Sequence, residues 1–93
     1  MKSISYFDEQ FIEAVDYYRA AAPKTALEFI ADLERAKEMI TGFPKIGRPK
    51  GEYRYLALNN FPYRVCYVEN VNGEALLVTL FHYRQKEIRI QVR

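Results

Sequence analysis

Between Asp8 and Gly42 the apolar residues recur at three- and four-residue spacing; beyond Tyr53 they alternate or run continuously. The first pattern belongs to helices and the second to strands. Phe11, Ala14, Val15 and Tyr18 form one helical stripe. Asp8 stands where an N-cap is expected, with Phe7 and Ile12 placed as a hydrophobic staple around it. The run Ala20-Ala21-Ala22-Pro23 breaks this helix, and Pro23 suits the first turn of a second. There Leu27, Ile30, Leu33, Met39 and Ile40 recur with helical period, and Ala26, Phe29 and Ala36 widen the stripe. Glu34, Arg35, Lys37 and Glu38 fall on a wetter face. Gly42 fits the residue that ends such a helix, and Pro44 prevents its resumption. Helices joined this closely pack antiparallel, so a helical hairpin is predicted.

Strand signals flank the hairpin. Lys2 to Phe7 reads as a short strand, and Phe43 to Gly51, rich in Pro, Gly and Lys/Arg, reads as loop. Tyr53 to Tyr67 reads as two strands joined across Asn59-Asn60-Phe61-Pro62. Asn72-Gly73 is a strong hairpin signal, leading into a third strand from about Glu74 to Tyr83. That strand is apolar on both faces, as suits an inner position. The tail from Arg84 to Arg93 alternates charged and aliphatic residues, which favours a last edge strand over a short helix. The prediction is an α+β fold of order β-α-α-β-β-β, one domain spanning residues 1–93.

Composition narrows the classes. At 49% hydrophobic and 28% charged the 93-residue chain has a folded, globular balance. No apolar run approaches about 18 residues and no apolar signal core stands at the N-terminus, so a soluble, cytoplasmic protein without membrane contact is expected. Cys66 is the single cysteine and lies in an apolar strand, where a buried inert thiol is expected. Net charge is only +2, but residues 1–44 carry five Lys/Arg against eight Asp/Glu, and residues 45–93 carry nine against four. A basic half points to an anionic partner, nucleic acid or an acidic protein segment.

Little chemistry is on offer. One His and one Cys do not make a typical transition-metal site, and Ser3 and Ser5 are the only serines. Gly47 and Gly51 have no phosphate-loop or dinucleotide spacing, so no metal and no cofactor is expected. What remains is Arg54, Arg64 and Arg84 on adjacent strands, with His82 near them. Arg54 and Arg64 are expected to share one sheet face, with His82 at the same rim. Such a cluster would meet an anion, as catalytic or target-contacting residues. The alternative is ordinary snorkelling arginines paired with Glu52, Glu69 or Glu74.

Six pieces in order carry a resemblance: D-Y-Y at Asp16–Tyr18, the second helix with Leu27, Phe29 and Leu33, F-P-x-I-G-R-P at Phe43–Pro49, Y-R-Y-L at Tyr53–Leu56, F-P-Y-R-V-x-Y at Phe61–Tyr67, and H-x-R at His82–Arg84. Together they resemble the RelE/ParE superfamily of type II toxin–antitoxin toxins, closest to the ParE-like branch often labelled plasmid stabilisation proteins. The resemblance implies a helical hairpin on a strongly twisted, mostly antiparallel sheet. It also implies a cognate antitoxin, through which alone operator DNA would be met. RelE-like members cut mRNA in the ribosome; ParE-like members inhibit DNA gyrase and cut nothing. Arg54 and Arg64 match basic positions of the RelE-type site. The arginine expected just after the histidine is Tyr83 here, with Arg84 one residue later, and the C-terminal tyrosine of RelE-type enzymes has no counterpart. General-acid and general-base roles therefore lack clear occupants. A gyrase-inhibiting toxin is the expectation; a ribosome-dependent endoribonuclease and a non-toxic binding module of the same fold are the alternatives. The antitoxin is expected along the helical hairpin and the sheet edge, with acidic residues meeting Arg48, Lys50 and Arg54.

Overall fold

The computed structural model describes residues 2–83. Its elements are β1 (Lys2–Ser3), α1 (Ser5–Ala21), α2 (Pro23–Gly42), β2 (Arg48–Lys50), β3 (Tyr53–Ala57), β4 (Tyr63–Glu69) and β5 (Ala75–His82). The described strands form one sheet in the order β1-β5-β4-β3-β2; β1 lies parallel to β5 and the other neighbours are antiparallel. The α+β class and the helical hairpin are as the sequence predicts. Arg84 and the tail strand lie outside the described residues.

Several local expectations give way to packing. α1 starts at Ser5 rather than after Asp8, because Ile4 N–H is tied to Leu77 O and the chain turns straight into the helix from β1. Asp8 therefore sits inside the first turn, accepting from the Ser3 hydroxyl at 2.6 Å while its charge faces the positive helix end. The staple does not form, since Phe7 is buried in the core and Ile12 is exposed. Ala22 alone separates the helices, in extended conformation, with Pro23 opening α2. The buried stripe of α2 is Ala26, Phe29, Leu33, Ala36 and Ile40, each three or four residues from the last. Leu27, one residue round the helix from that stripe, is 67% exposed. Gly42 is the last helical residue and has no positive φ.

Residues read as loop contribute a strand. Arg48, Pro49 and Lys50 pair with Tyr55, Arg54 and Tyr53 across a turn in which Gly51 has φ 62°, a value glycine adopts without strain. Pro49 is tolerated because β2 is an edge strand, where its missing N–H breaks no inner ladder.

β5 solves a parity problem. Leu77 and Leu80 are an odd number of residues apart, yet both lie in the core cluster. A regular strand would put them on opposite faces. Opposite Cys66/Tyr67 the register slips, Cys66 facing Thr79 and Tyr67 facing Leu77, so that Val78 is the extra residue of a bulge. The bulge returns Leu80 to the helix side and leaves Thr79 and Phe81 on the other.

The loop from Phe43 to Gly47 is locked from within. Tyr67 is fully buried; its hydroxyl donates to Pro44 O at 2.7 Å and accepts from Gly47 N–H at 2.9 Å. A Cβ on residue 47 would come within 2.7 Å of that hydroxyl and 3.0 Å of Tyr55 O, so the site admits only glycine without displacement. Tyr67→Phe is expected to lower stability by about 1–2 kcal/mol, because it orphans a buried N–H. Gly47→Ala should cost a similar amount through overpacking. Thermal melting of both variants checks this, and an unchanged midpoint in either would contradict the lock.

Candidate functional site

The β3–β4 register decides where each arginine points. Arg54 pairs with Tyr67 and Ala57 pairs with Arg64. Arg54 therefore shares Tyr67's face, and Arg64 lies three residues from Tyr67 along β4, on the opposite face. Tyr67 and Val65 belong to the core under the helices, whereas Cys66 and Phe81 form a second cluster with Tyr53 and Tyr55 on the far side. The expectation that Arg54 and Arg64 share a face is thus corrected. His82 pairs with Tyr63 at the other end of β4, on the helix side. Its ring meets the Tyr63 ring edge-on at 4.9 Å. Arg54, Arg64 and His82 do not converge, and Arg84 lies outside the described residues.

Arg54 braces the loop. Its Nη1 donates to Gly47 O at 2.8 Å and Lys45 O at 3.1 Å, and its Nε is 3.9 Å from the Glu69 carboxylate, which Lys45 also approaches at 3.1 Å. This is the pairing with Glu69 that the structural alternative anticipated for an arginine of this group.

Arg64 is set differently. Its guanidinium carbon lies 5.1 Å from the centroids of both Tyr55 and Phe81 and 5.7 Å from that of Tyr83. Aromatic faces attract the cation and hold its plane in place. By the same parity, β2 turns Arg48 and Lys50 to this side, opposite Tyr55 and Tyr53. Three cations thus occupy the open sheet face among Tyr53, Tyr55 and Tyr83, two of them on residues that sequence reading left in a loop. The signal was present: Gly51-Glu52 between R-P-K and Y-R-Y has the spacing of a two-residue hairpin turn.

Between Ile46, Arg48, Ala57, Arg64 and Tyr83, over Tyr55, lies an open depression of about 530 Å³. No carboxylate is among its described lining residues. Burial pushes the Tyr55 hydroxyl up to about 12, and burial pushes the Cys66 thiol up to about 11, its hydrogen bond to Tyr55 and the Arg64 charge opposing. Both stay protonated at neutral pH, so neither supplies a base. The position after His82, where the RelE-type pattern has an arginine, presents the half-exposed ring of Tyr83 beside Arg64. The face can hold and orient an anion; it offers no described group to take a proton from one. Among the described residues no cluster of His, Cys, Asp or Glu is disposed to hold a metal ion, and no helix is long and apolar enough to cross a membrane.

Comparison with known proteins now adds to this geometry. A family model described as the ParE toxin of the type II toxin–antitoxin system, parDE, matches residues 5–87. No curated protein matches the sequence. Among solved structures, one titled "Chromosomal ParDE TA system from P. aeruginosa" superposes with a TM-score of 0.75 at 17% identity. The superposition covers 87% of this chain and 91% of that one, a likeness of fold.

Proposed function

The chain belongs to the ParE toxin family of type II toxin–antitoxin systems, and from that premise we propose that it inhibits DNA gyrase through its open sheet face, without cleaving RNA. Family membership implies an antitoxin partner. The observation that carries the reading is the separation of Arg64 from His82: they stand on opposite faces of one sheet. Cleavage of a phosphodiester by acid–base chemistry needs a proton acceptor within hydrogen-bond reach of the same scissile group that a cation stabilises. Here the only histidine is turned away from the cationic face, and the buried tyrosine and cysteine beside Arg64 hold their protons. A surface that binds without reacting fits a protein-inhibiting toxin.

In this reading Arg64 and Arg48 contact the target, Arg54 holds the loop, and His82 packs against Tyr63. The test is expression without the antitoxin, with purified gyrase assayed in parallel. Arrested growth, induction of the DNA-damage response, intact mRNA and inhibited supercoiling are expected. Codon-positioned mRNA cuts without DNA damage would overturn the proposal in favour of the ribonuclease. Unaffected growth together with uninhibited gyrase would assign the chain as a non-toxic binding module. Tyr83→Arg places a second arginine beside Arg64; because the proton acceptor is still missing from that face, it is expected to leave mRNA uncut.

A further inference from the structure

The depression beside Arg64 is also where the sheet edge lies open. β2 covers β3 only from Tyr53 to Tyr55, and β3 runs on through Leu56 and Ala57. Along an antiparallel strand the backbone groups of alternate residues point to alternate neighbours. Leu58 N–H is bonded to Tyr63 O, towards β4, so the N–H and C=O of Ala57 point the other way, to the side β2 occupies further along. Continuing the β2 register would place Ile46 opposite Ala57. Instead the chain has curled away, and Ile46 N–H bonds to Phe43 O. The edge is therefore uncovered at the point where Arg48, Arg64 and Tyr83 surround it.

We propose that this depression receives an extended, acidic segment of a partner protein, which pairs with the backbone of Ala57 in line with β2 and sets its carboxylates against Arg48 and Arg64. The inference rests on the reading of this face as a contact surface, and on that part alone; it does not depend on gyrase being the target. Three observations select a peptide. An open backbone edge offers donor and acceptor to another backbone, the mode by which extended peptides join sheets. Two arginines with no carboxylate in the lining leave the site complementary to anions, and Arg64, held between aromatic rings, is preset to present its fork to a carboxylate. Ile46 and the ring of Tyr83 are exposed at the rim, where an apolar side chain alternating with the acids would rest. Nucleic acid could use the cations and stack on Tyr83, but it has no use for the strand edge.

The test uses the full chain and short blocked peptides of alternating valine and glutamate, measured by calorimetry. Three comparison probes are the same peptide with glutamine for glutamate, the same peptide N-methylated on alternate amides, and ten-nucleotide oligo(dT) and oligo(U). The glutamate peptide is expected to bind about tenfold more tightly than the glutamine and N-methylated versions, and to weaken as salt rises. Arg48→Ala and Arg64→Met are each expected to weaken it about fivefold or more, with melting confirming that both variants fold. Equal binding of the glutamate and glutamine peptides would overturn the carboxylate contact. Equal binding of the N-methylated peptide would overturn the strand pairing, and tighter binding of either oligonucleotide would reassign the site to nucleic acid. Gyrase inhibition that persists when no peptide binds would sink this inference and leave the gyrase reading standing; peptide binding without gyrase inhibition would do the reverse.

Discussion

Asp32→Ala is expected to destabilise the protein by about 3 kcal/mol, the largest loss from any single side chain outside the apolar core. Asp32 sits on the buried stripe of α2 at 4% exposure, where an unpaired carboxylate would be costly. It is fully engaged. Arg35 Nη2 donates to Oδ1 at 2.8 Å, Asn60 N–H donates to Oδ2 at 2.8 Å, and Asn59 N–H reaches Oδ1 at 3.3 Å. One helical carboxylate thus supplies the acceptors for a bend that offers none of its own, and it fixes that bend over α2. Phe61, two residues on, packs edge-on against Phe29 and Tyr18 at 5.2 and 5.0 Å. Removing the carboxylate orphans two backbone donors and loosens the aromatic plug beside them. For a domain of this size the melting midpoint should fall by roughly 10–20 °C.

The same carboxylate predicts an acid limb. Burial acts to raise its pKa, but the Arg35 guanidinium and the two loop N–H groups outweigh that and hold it below the usual carboxylate range. A group depressed in the folded state contributes stability above its unfolded pKa, about 3.9, and loses it as pH falls through the folded value. Melting should therefore owe nothing to this group's titration between pH 5 and 7 and should fall below about pH 4. In Asp32→Asn, which keeps an acceptor but no charge, that fall should be shallower. Identical acid limbs in the two proteins would remove Asp32 from the account.

What the sequence made legible follows from the range of the signal. The hairpin was legible because its signals are local: a helical period, a proline at the start of α2, an alanine break. Asp32 went unread although its position could have flagged it, being a lone acid within an apolar stripe three residues from Phe29. The strands' existence was equally plain, but their faces were not. Face assignment depends on register, and register depends on how many residues the bend between Ala57 and Tyr63 consumes. Misjudging that number by one turns Arg64 to the other side. The bulge at Val78 carries no sequence mark either; A-L-L-V-T-L-F reads as apolar throughout, and only the odd spacing of Leu77 and Leu80 in one core reveals the slip.

Because the two arginines face opposite ways, their substitution should separate stability from toxicity. Arg54→Met removes two charge-assisted bonds to the carbonyls of Lys45 and Gly47 and the contact with Glu69. The expected cost is about 2 kcal/mol, or roughly 10 °C in melting midpoint. At a temperature where that variant is folded, its toxicity should match the wild type, since its side chain never reaches the open face. Arg64→Met keeps the stem that lies against Phe81 and Tyr55 and deletes only the charge. Its stability should change by about 1 kcal/mol or less, the size of the lost cation–π attraction. Its action on the target should weaken about thirtyfold, the usual consequence of losing a charged anchor worth some 2 kcal/mol at an interface. The measurement is paired: melting, and growth on expression without antitoxin, for both variants and for Arg48→Ala. Should Arg54→Met abolish toxicity while folded, or Arg64→Met leave it untouched, the open face is not the surface that meets the target. A loss in Arg64→Met alone would tie toxicity to the side of the sheet where the register puts it.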